Sequence, residues 1–220
     1  MVLKLEEFKV EDAPKSVYYI PNFISTEDEE IITSKVYGAP KPKWTCLKNR
    51  RLQDYGGIPH RNGIIPEQIP LWLVTYMDRV SDLNVFQPSR ANHCLVNEYL
   101  PGQGIMPHLD GPIFFPTVTT ITCGSHTMLE FLREEEGERY FICKLLLEPR
   151  SLVILKDDMY KKYLHTIEER IVDTVDESCV NLNATGHKLG DILERGTRVS
   201  LTIRNVPKVL RLSLFNIKIK

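Results

Sequence analysis

Nothing in this chain supplies the apolar segment that a membrane or a secretory route would require. The N-terminus, MVLKLEEFKVED, places acids and lysines where a leader would be apolar. No run approaches the roughly 20 apolar residues that span a bilayer. Cysteine is too sparse to form a framework: Cys46, Cys94, Cys123, Cys143 and Cys179 are odd in number, scattered, and never in a Cys-x-x-Cys pair. That pattern argues against zinc fingers and disulfide scaffolds. A soluble protein of a reducing compartment, cytoplasm and nucleus, is expected, with its cysteines acting as small core residues. A charge excess is also missing, since the formal net charge is −1. Bulk attraction to nucleic acid is therefore excluded, although a local basic patch is not. No internal repeat is present, and 220 residues with 42% hydrophobic and 26% charged content suit a single globular domain, residues 1–220.

Two helices are expected near the start. Ser25 and Thr26 precede an acid and then Ile31, Ile32 and Val36, the pattern of a capped amphipathic helix. Pro66 followed by Ile69, Leu73, Tyr76 and Val80 gives a second, with one apolar face. The stretch between them, KPKWTCLKNRRLQDYGGIPHRNG, is rich in basic residues, Gly and Pro and reads as ordered but irregular. From residue 91 onward the texture changes to short apolar or alternating runs separated by turn residues. In RVSLTIR, Val199, Leu201 and Ile203 alternate with Ser200, Thr202 and Arg204, the period of a strand with one buried face. Helices first and many short strands afterwards predict a mainly β fold with N-terminal helices, a sandwich or jelly roll. The acidic stretch at residues 133–139 reads as a solvated hairpin tip. Residues 166–197 are polar and long for a loop, which suggests a mobile or functional segment.

The chemistry is concentrated in VNEYLPGQGIMPHLDGP, where His108 and Asp110 stand one residue apart after a strand and a Pro-Gly turn. On extended backbone, side chains at i and i+2 leave on the same side, so an imidazole and a carboxylate can reach one metal together. His165, after the apolar run SLVILKDD and a turn, supplies a second imidazole. Two imidazoles and one carboxylate on one face leave adjacent positions open, which suits Fe(II) taking a bidentate co-substrate and dioxygen. His187 is the alternative second imidazole, but it sits in the polar insert with no strand leading into it; His60, His93 and His126 read as structural or surface residues. Arg198 and Arg204 share a strand face with Ser200, and an arginine there can present a planar fork to a carboxylate.

Together these residues resemble the AlkB-like branch of the Fe(II)/2-oxoglutarate-dependent dioxygenases. The resemblance covers residues 92–112, the strand leading to His165, and residues 195–207, with weaker support from 44–57. It implies a double-stranded β-helix (jelly roll) core at 91–207 preceded by a helical and lid extension at 1–90. It further implies Fe(II) on His108, Asp110 and His165, with 2-oxoglutarate and O2 as co-substrates. Asn97, Tyr99 and Arg198 would contact 2-oxoglutarate, with Ser200 beside the same carboxylate, and Arg204 would lie near the substrate.

The substrate is expected to be nucleic acid. Lys41, Lys43, Lys48, Arg50 and Arg51 place five cations in eleven residues with no acid among them, and Trp44 and Tyr55 interleave aromatic faces, the combination that phosphate contact and base stacking require. In the family the segment corresponding to RRLQDYGG forms a nucleotide-recognition lid, making Arg51 and Tyr55 candidate substrate contacts. Oxidation of alkylated bases is the leading expectation. Hydroxylation or demethylation of a protein side chain, or a nucleic-acid-binding module with little turnover, are the alternatives. The 166–197 insert is expected to cover the site as a lid.

Overall fold

The computed structural model describes residues 3–210. In chain order its principal elements are β1 (Val17–Ile20), α1 (Thr26–Tyr37), β2 (Thr45–Leu47), β3 (Arg50–Tyr55), β4 (Pro59–His60), β5 (Gly63–Ile64) and α2 (Leu71–Ser81). There follow β6 (His93–Tyr99), β7 (Ile105–His108), β8 (Thr117–Gly124), β9 (Thr127–Glu135), β10 (Glu138–Leu147), β11 (Leu152–Lys156) and α3 (Asp157–Lys162). The chain then forms β12 (Tyr163–Ile167), β13 (Val172–Thr174), β14 (Ile192–Glu194) and β15 (Arg198–Arg204).

A seven-stranded sheet of order β1-β11-β8-β15-β6-β3-β2 faces a four-stranded sheet of order β10-β9-β12-β7. Strand alternation assigns the two faces of the larger sheet to different cores. Val96, Ile121, Cys123, Val199, Leu201 and Ile203 join Ile32 and Val36 of α1 and Leu73, Met77 and Val80 of α2 on one side. On the other side Val118, Val153 and Leu155 meet Leu129, Phe131, Leu145 and Leu147 of the smaller sheet. This is the jelly-roll arrangement expected from the run of short strands.

Both helices form for the reasons their sequences give, with one shifted start. Ser25 Oγ accepts from the Asp28 N–H at 3.0 Å while the Asp28 carboxylate accepts from the Ser25 N–H at 3.1 Å, a complete capping box. The second helix starts at Leu71 with Pro70 as its cap, not at Pro66. Residues 65–70 are not helical, since a proline at 70 disfavours helix in the residue before it. Glu136 and Gly137, both with positive φ, turn β9 into β10, so the acidic stretch is a hairpin tip.

Two segments depart from their sequence reading. The basic stretch is ordered as strands: β2 and β3 form a hairpin, and β3 pairs along β6 as part of the large sheet. The N-terminal ninety residues thus contribute strands as well as helices. The 166–197 insert lies along the outside of the smaller sheet. Val175 and Cys179 pack on Met128 and Leu146, and the buried Asn181 side chain bonds the Leu146 N–H and C=O, both at 2.9 Å. Its first residues reach the cavity side, where Ile167 lines the wall and Glu169 meets Asn49 of the β2–β3 hairpin. Among the described residues no helix is long and apolar enough to cross a membrane.

Candidate metal centre and co-substrate cavity

His108 closes β7 and His165 lies on β12, and the antiparallel ladder sets them directly opposite one another. Their rings are 4.3 Å apart between centroids. Asp110 follows β7 by two residues, and one donor atom from each of His108, Asp110 and His165 lies within 4.8 Å of the other two. Gly104 makes this pairing possible: a Cβ there would sit 2.1 Å from the Ile167 carbonyl, so only glycine lets the chain press against β12 before β7 begins.

The candidate ligand atoms are oriented by neighbours. His108 Nδ1 lies 2.8 Å from the Met106 carbonyl. A carbonyl can only accept, so the proton is on Nδ1 and Nε2 keeps the lone pair that a metal would take. Burial pushes the His165 imidazole down to about 4, which keeps it neutral, the form that ligates. Arg204 Nη1 donates to Asp110 Oδ1 at 3.2 Å, while Asp110 Oδ2 is buried with no partner among the described residues. Tyr160 donates to the Gly111 carbonyl at 2.9 Å and so holds the loop that carries Asp110. An orphaned carboxylate oxygen beside two imidazoles on one side is a donor set that fits Fe(II) and leaves other positions open.

A cavity of about 250 Å³ extends between the sheets behind this cluster. Its walls are largely aliphatic, with Leu95, Val118, Leu129 and Leu155 among them, and its polar groups include Asn97, Tyr99, Arg198 and Ser200. Arg198 is only 4% exposed, and its Nη2 donates to the Thr122 hydroxyl at 3.0 Å while Nε has no partner among the described residues. Desolvation drags its guanidinium down to about 10, so it stays charged at neutral pH. The Tyr99 ring lies 5.7 Å from it. A buried cation without an anion is costly to leave unmatched, so the seat fits a carboxylate entering from the cavity.

The expected residues divide cleanly. Asn97, Tyr99, His108, Asp110, His165, Arg198, Ser200 and Arg204 all line this one cavity. His187 does not; it lies near Glu148 and Asp191 on the far side of the insert. Arg51 and Tyr55 are absent from the lining as well. Arg51 is held by Glu98, and Tyr55 is buried in the helix-side core with its hydroxyl on Gln53. The register explains this: Leu52 lies opposite Asn97, so even-numbered positions of β3 face the cavity and odd ones face the helices. Arg50 is the β3 residue in the wall. In the sequence it is only one cation of a run, because RRLQDY has no apolar alternation to assign it a face and the pairing with β6 does so. Thr122 and Tyr160, each acting through one bond, left no mark in the sequence.

The chain belongs to the 2OG-Fe(II) oxygenase superfamily, whose family model matches residues 29–204. It is accordingly an Fe(II)- and 2-oxoglutarate-dependent dioxygenase, an oxidoreductase using O2, of the AlkB-like branch. It is 52% identical over 97% of its length, and 95% of the relative's, to "Probable RNA/DNA demethylase ALKBH6" of Danio rerio. It is also 24% identical over 91% of its length to the tRNA (carboxymethyluridine(34)-5-O)-methyltransferase ALKBH8 of Macaca fascicularis, matching only 32% of that larger protein. Among solved structures, OsALKBH1 superposes with a TM-score of 0.54 at 14% identity, covering 86% of this chain and 97% of that one. A Pseudomonas putida prolyl-4-hydroxylase gives 0.51 at 12% identity, with 86% and 90% covered. At those identities the likeness is one of fold.

Proposed function

We propose that the protein oxidatively demethylates alkylated bases of nucleic acid. In this reading His108, Asp110 and His165 hold Fe(II), while Asn97, Tyr99, Arg198 and Ser200 hold 2-oxoglutarate. Fe(II), when bound, supplies the coupling of 2-oxoglutarate oxidation, to succinate and carbon dioxide, with insertion of one oxygen atom of O2 into a substrate C–H bond. On an N-methyl group the product is N-hydroxymethyl, which loses formaldehyde and returns the proton to nitrogen.

The residues of this chain bind and orient. Arg198 anchors the distal carboxylate and Tyr99 flanks it, while the aliphatic walls keep water from the reacting end. Arg204 fixes Asp110 through Oδ1 and so leaves Oδ2 for the metal. The observation that carries the substrate class is the position of the basic hairpin. β2–β3 meets the first residues of the insert through Asn49 and Glu169 and sends Arg50 into the cavity wall. The exposure of Lys41 and Lys48 on the same segment supports phosphate contact. The name carried by the zebrafish relative supports the same class. Cytoplasm and nucleus, where such substrates lie, are the compartments proposed.

The test is a joint Lys41→Glu and Lys48→Glu variant assayed for single-stranded oligonucleotide binding across a salt series. Weaker binding and a shallower salt slope, by about 0.7 for each phosphate no longer neutralised, are expected. Unchanged binding, with succinate formed only on peptide substrates, would move the reading to a protein side-chain hydroxylase.

A further inference from the structure

The basic run ends in two consecutive arginines that β3 sends to opposite faces. Arg51 gives Nε and Nη2 to Glu98 at 2.6 and 2.8 Å and lies 4.1 Å from the Trp44 ring centre, so its charge is matched within the fold. Arg50 has no carboxylate partner among the described residues. Its Nε donates to Asn97 Oδ1 at 3.1 Å. It lines the co-substrate cavity and also a more open surface hollow shared with Tyr37, Leu47, Gln103 and the Arg51–Glu98 pair, and is therefore the partition between the two.

Two consequences follow from this placement. A guanidinium only donates, so the contact fixes the Asn97 amide with its oxygen toward Arg50 and its N–H groups free for an acceptor in the cavity. The cavity lining also holds three arginines, Arg50, Arg198 and Arg204, against one carboxylate, Asp110, which Arg204 already engages. A dicarboxylate on the metal and Arg198 leaves the Arg50 charge unmatched, and its Nη pair carries no hydrogen bond among the described residues. That pair is positioned to take a second anion from the hollow.

We propose that Arg50 is a positioning residue that couples substrate to co-substrate: its Nε orients Asn97 for 2-oxoglutarate, and its Nη groups receive a phosphate of the nucleic-acid strand. The proposal rests on the nucleic-acid reading above. A phosphate that immobilises the guanidinium also immobilises the Asn97 amide, so each ligand lowers the ordering cost of the other. By linkage the enhancement is the same in both directions.

The experiment titrates 2-oxoglutarate into the full chain loaded with Mn(II), by calorimetry without oxygen, with and without a saturating single-stranded oligonucleotide. Oligonucleotide binding is followed separately by fluorescence anisotropy. In the parent the strand should tighten 2-oxoglutarate about fivefold or more, the lower end of ordinary coupling. Arg50→Ala should weaken 2-oxoglutarate several-fold and bring the enhancement to about one, while Arg50→Lys, a point charge without a planar fork, should restore it only in part. Arg51→Ala should keep the enhancement. An undiminished enhancement in Arg50→Ala overturns the proposal, as does a parent that binds the strand with no change in 2-oxoglutarate affinity; the latter leaves the proposed function standing. A parent that binds no strand removes both.

Discussion

Two buried arginines three residues apart in sequence show how differently one fold can treat the same group. Arg195, in the insert, is closed off on every side. Its Nε and Nη2 meet both oxygens of the fully buried Asp173 at 2.6 and 2.8 Å, and its Nη1 reaches the Glu168 carbonyl at 2.7 Å. Arg198 is equally hidden but has one neutral hydroxyl partner and an orphaned Nε. A charge matched inside the protein holds structure together, whereas a buried charge left unmatched is a seat kept for a ligand.

That contrast can be broken from either end. Asp173→Ala should have the largest effect, because it leaves Arg195 buried without its anion. A loss of about 3–5 kcal/mol in urea unfolding is expected, and a loss below 1 kcal/mol would show that the insert is not clamped by this pair. Arg198→Met should do the reverse: stability stays within about 1 kcal/mol of the parent while 2-oxoglutarate binding weakens by about 2–4 kcal/mol, roughly 30- to 700-fold. Calorimetric titration beside thermal unfolding separates the two outcomes. An acid titration sharpens the comparison further. Burial by itself would raise the Asp173 pKa, but His126 and Arg195 outweigh it and hold the carboxyl at about 2. A depressed carboxylate pKa contributes stability above the unfolded value near 4 and loses it as pH falls toward 2. The parent should therefore lose about 2 kcal/mol across that window relative to Asp173→Asn. Thr122→Val, which takes away the hydroxyl that Arg198 meets, should be mildest, raising the 2-oxoglutarate Kd a few-fold, about 1 kcal/mol or less.

What the sequence made legible was periodicity. The alternation in β15 sets Val199, Leu201 and Ile203 toward the helices and Arg198, Ser200 and Arg204 onto one shared face. Its polar face, however, is not solvent: Ser200 is as buried as Val199, at 2%, because a second sheet covers it, and local pattern cannot report a partner contributed by distant strands. The same limit hides which arginine of β3 enters the cavity wall, Arg50 and not Arg51, since composition gives a basic run no register and only pairing with β6 does. The insert misled for another reason. Its polar residues are buried by specific bonds such as Asn181 to Leu146, and low hydrophobicity does not distinguish a satisfied network from a mobile loop.

Among the described residues β7 is an edge strand paired with β12 alone, and Pro107 within it has no N–H to give. One of the imidazoles proposed to hold iron therefore hangs from the least secured strand of its sheet. A metal joining His108 to His165 would serve that edge as a rivet as well as a reagent. Amide hydrogens of Ile105, Met106 and His108 should exchange with solvent markedly more slowly in the Mn(II)-loaded protein than in the metal-free one, while those of β15 at the centre of the larger sheet should barely change.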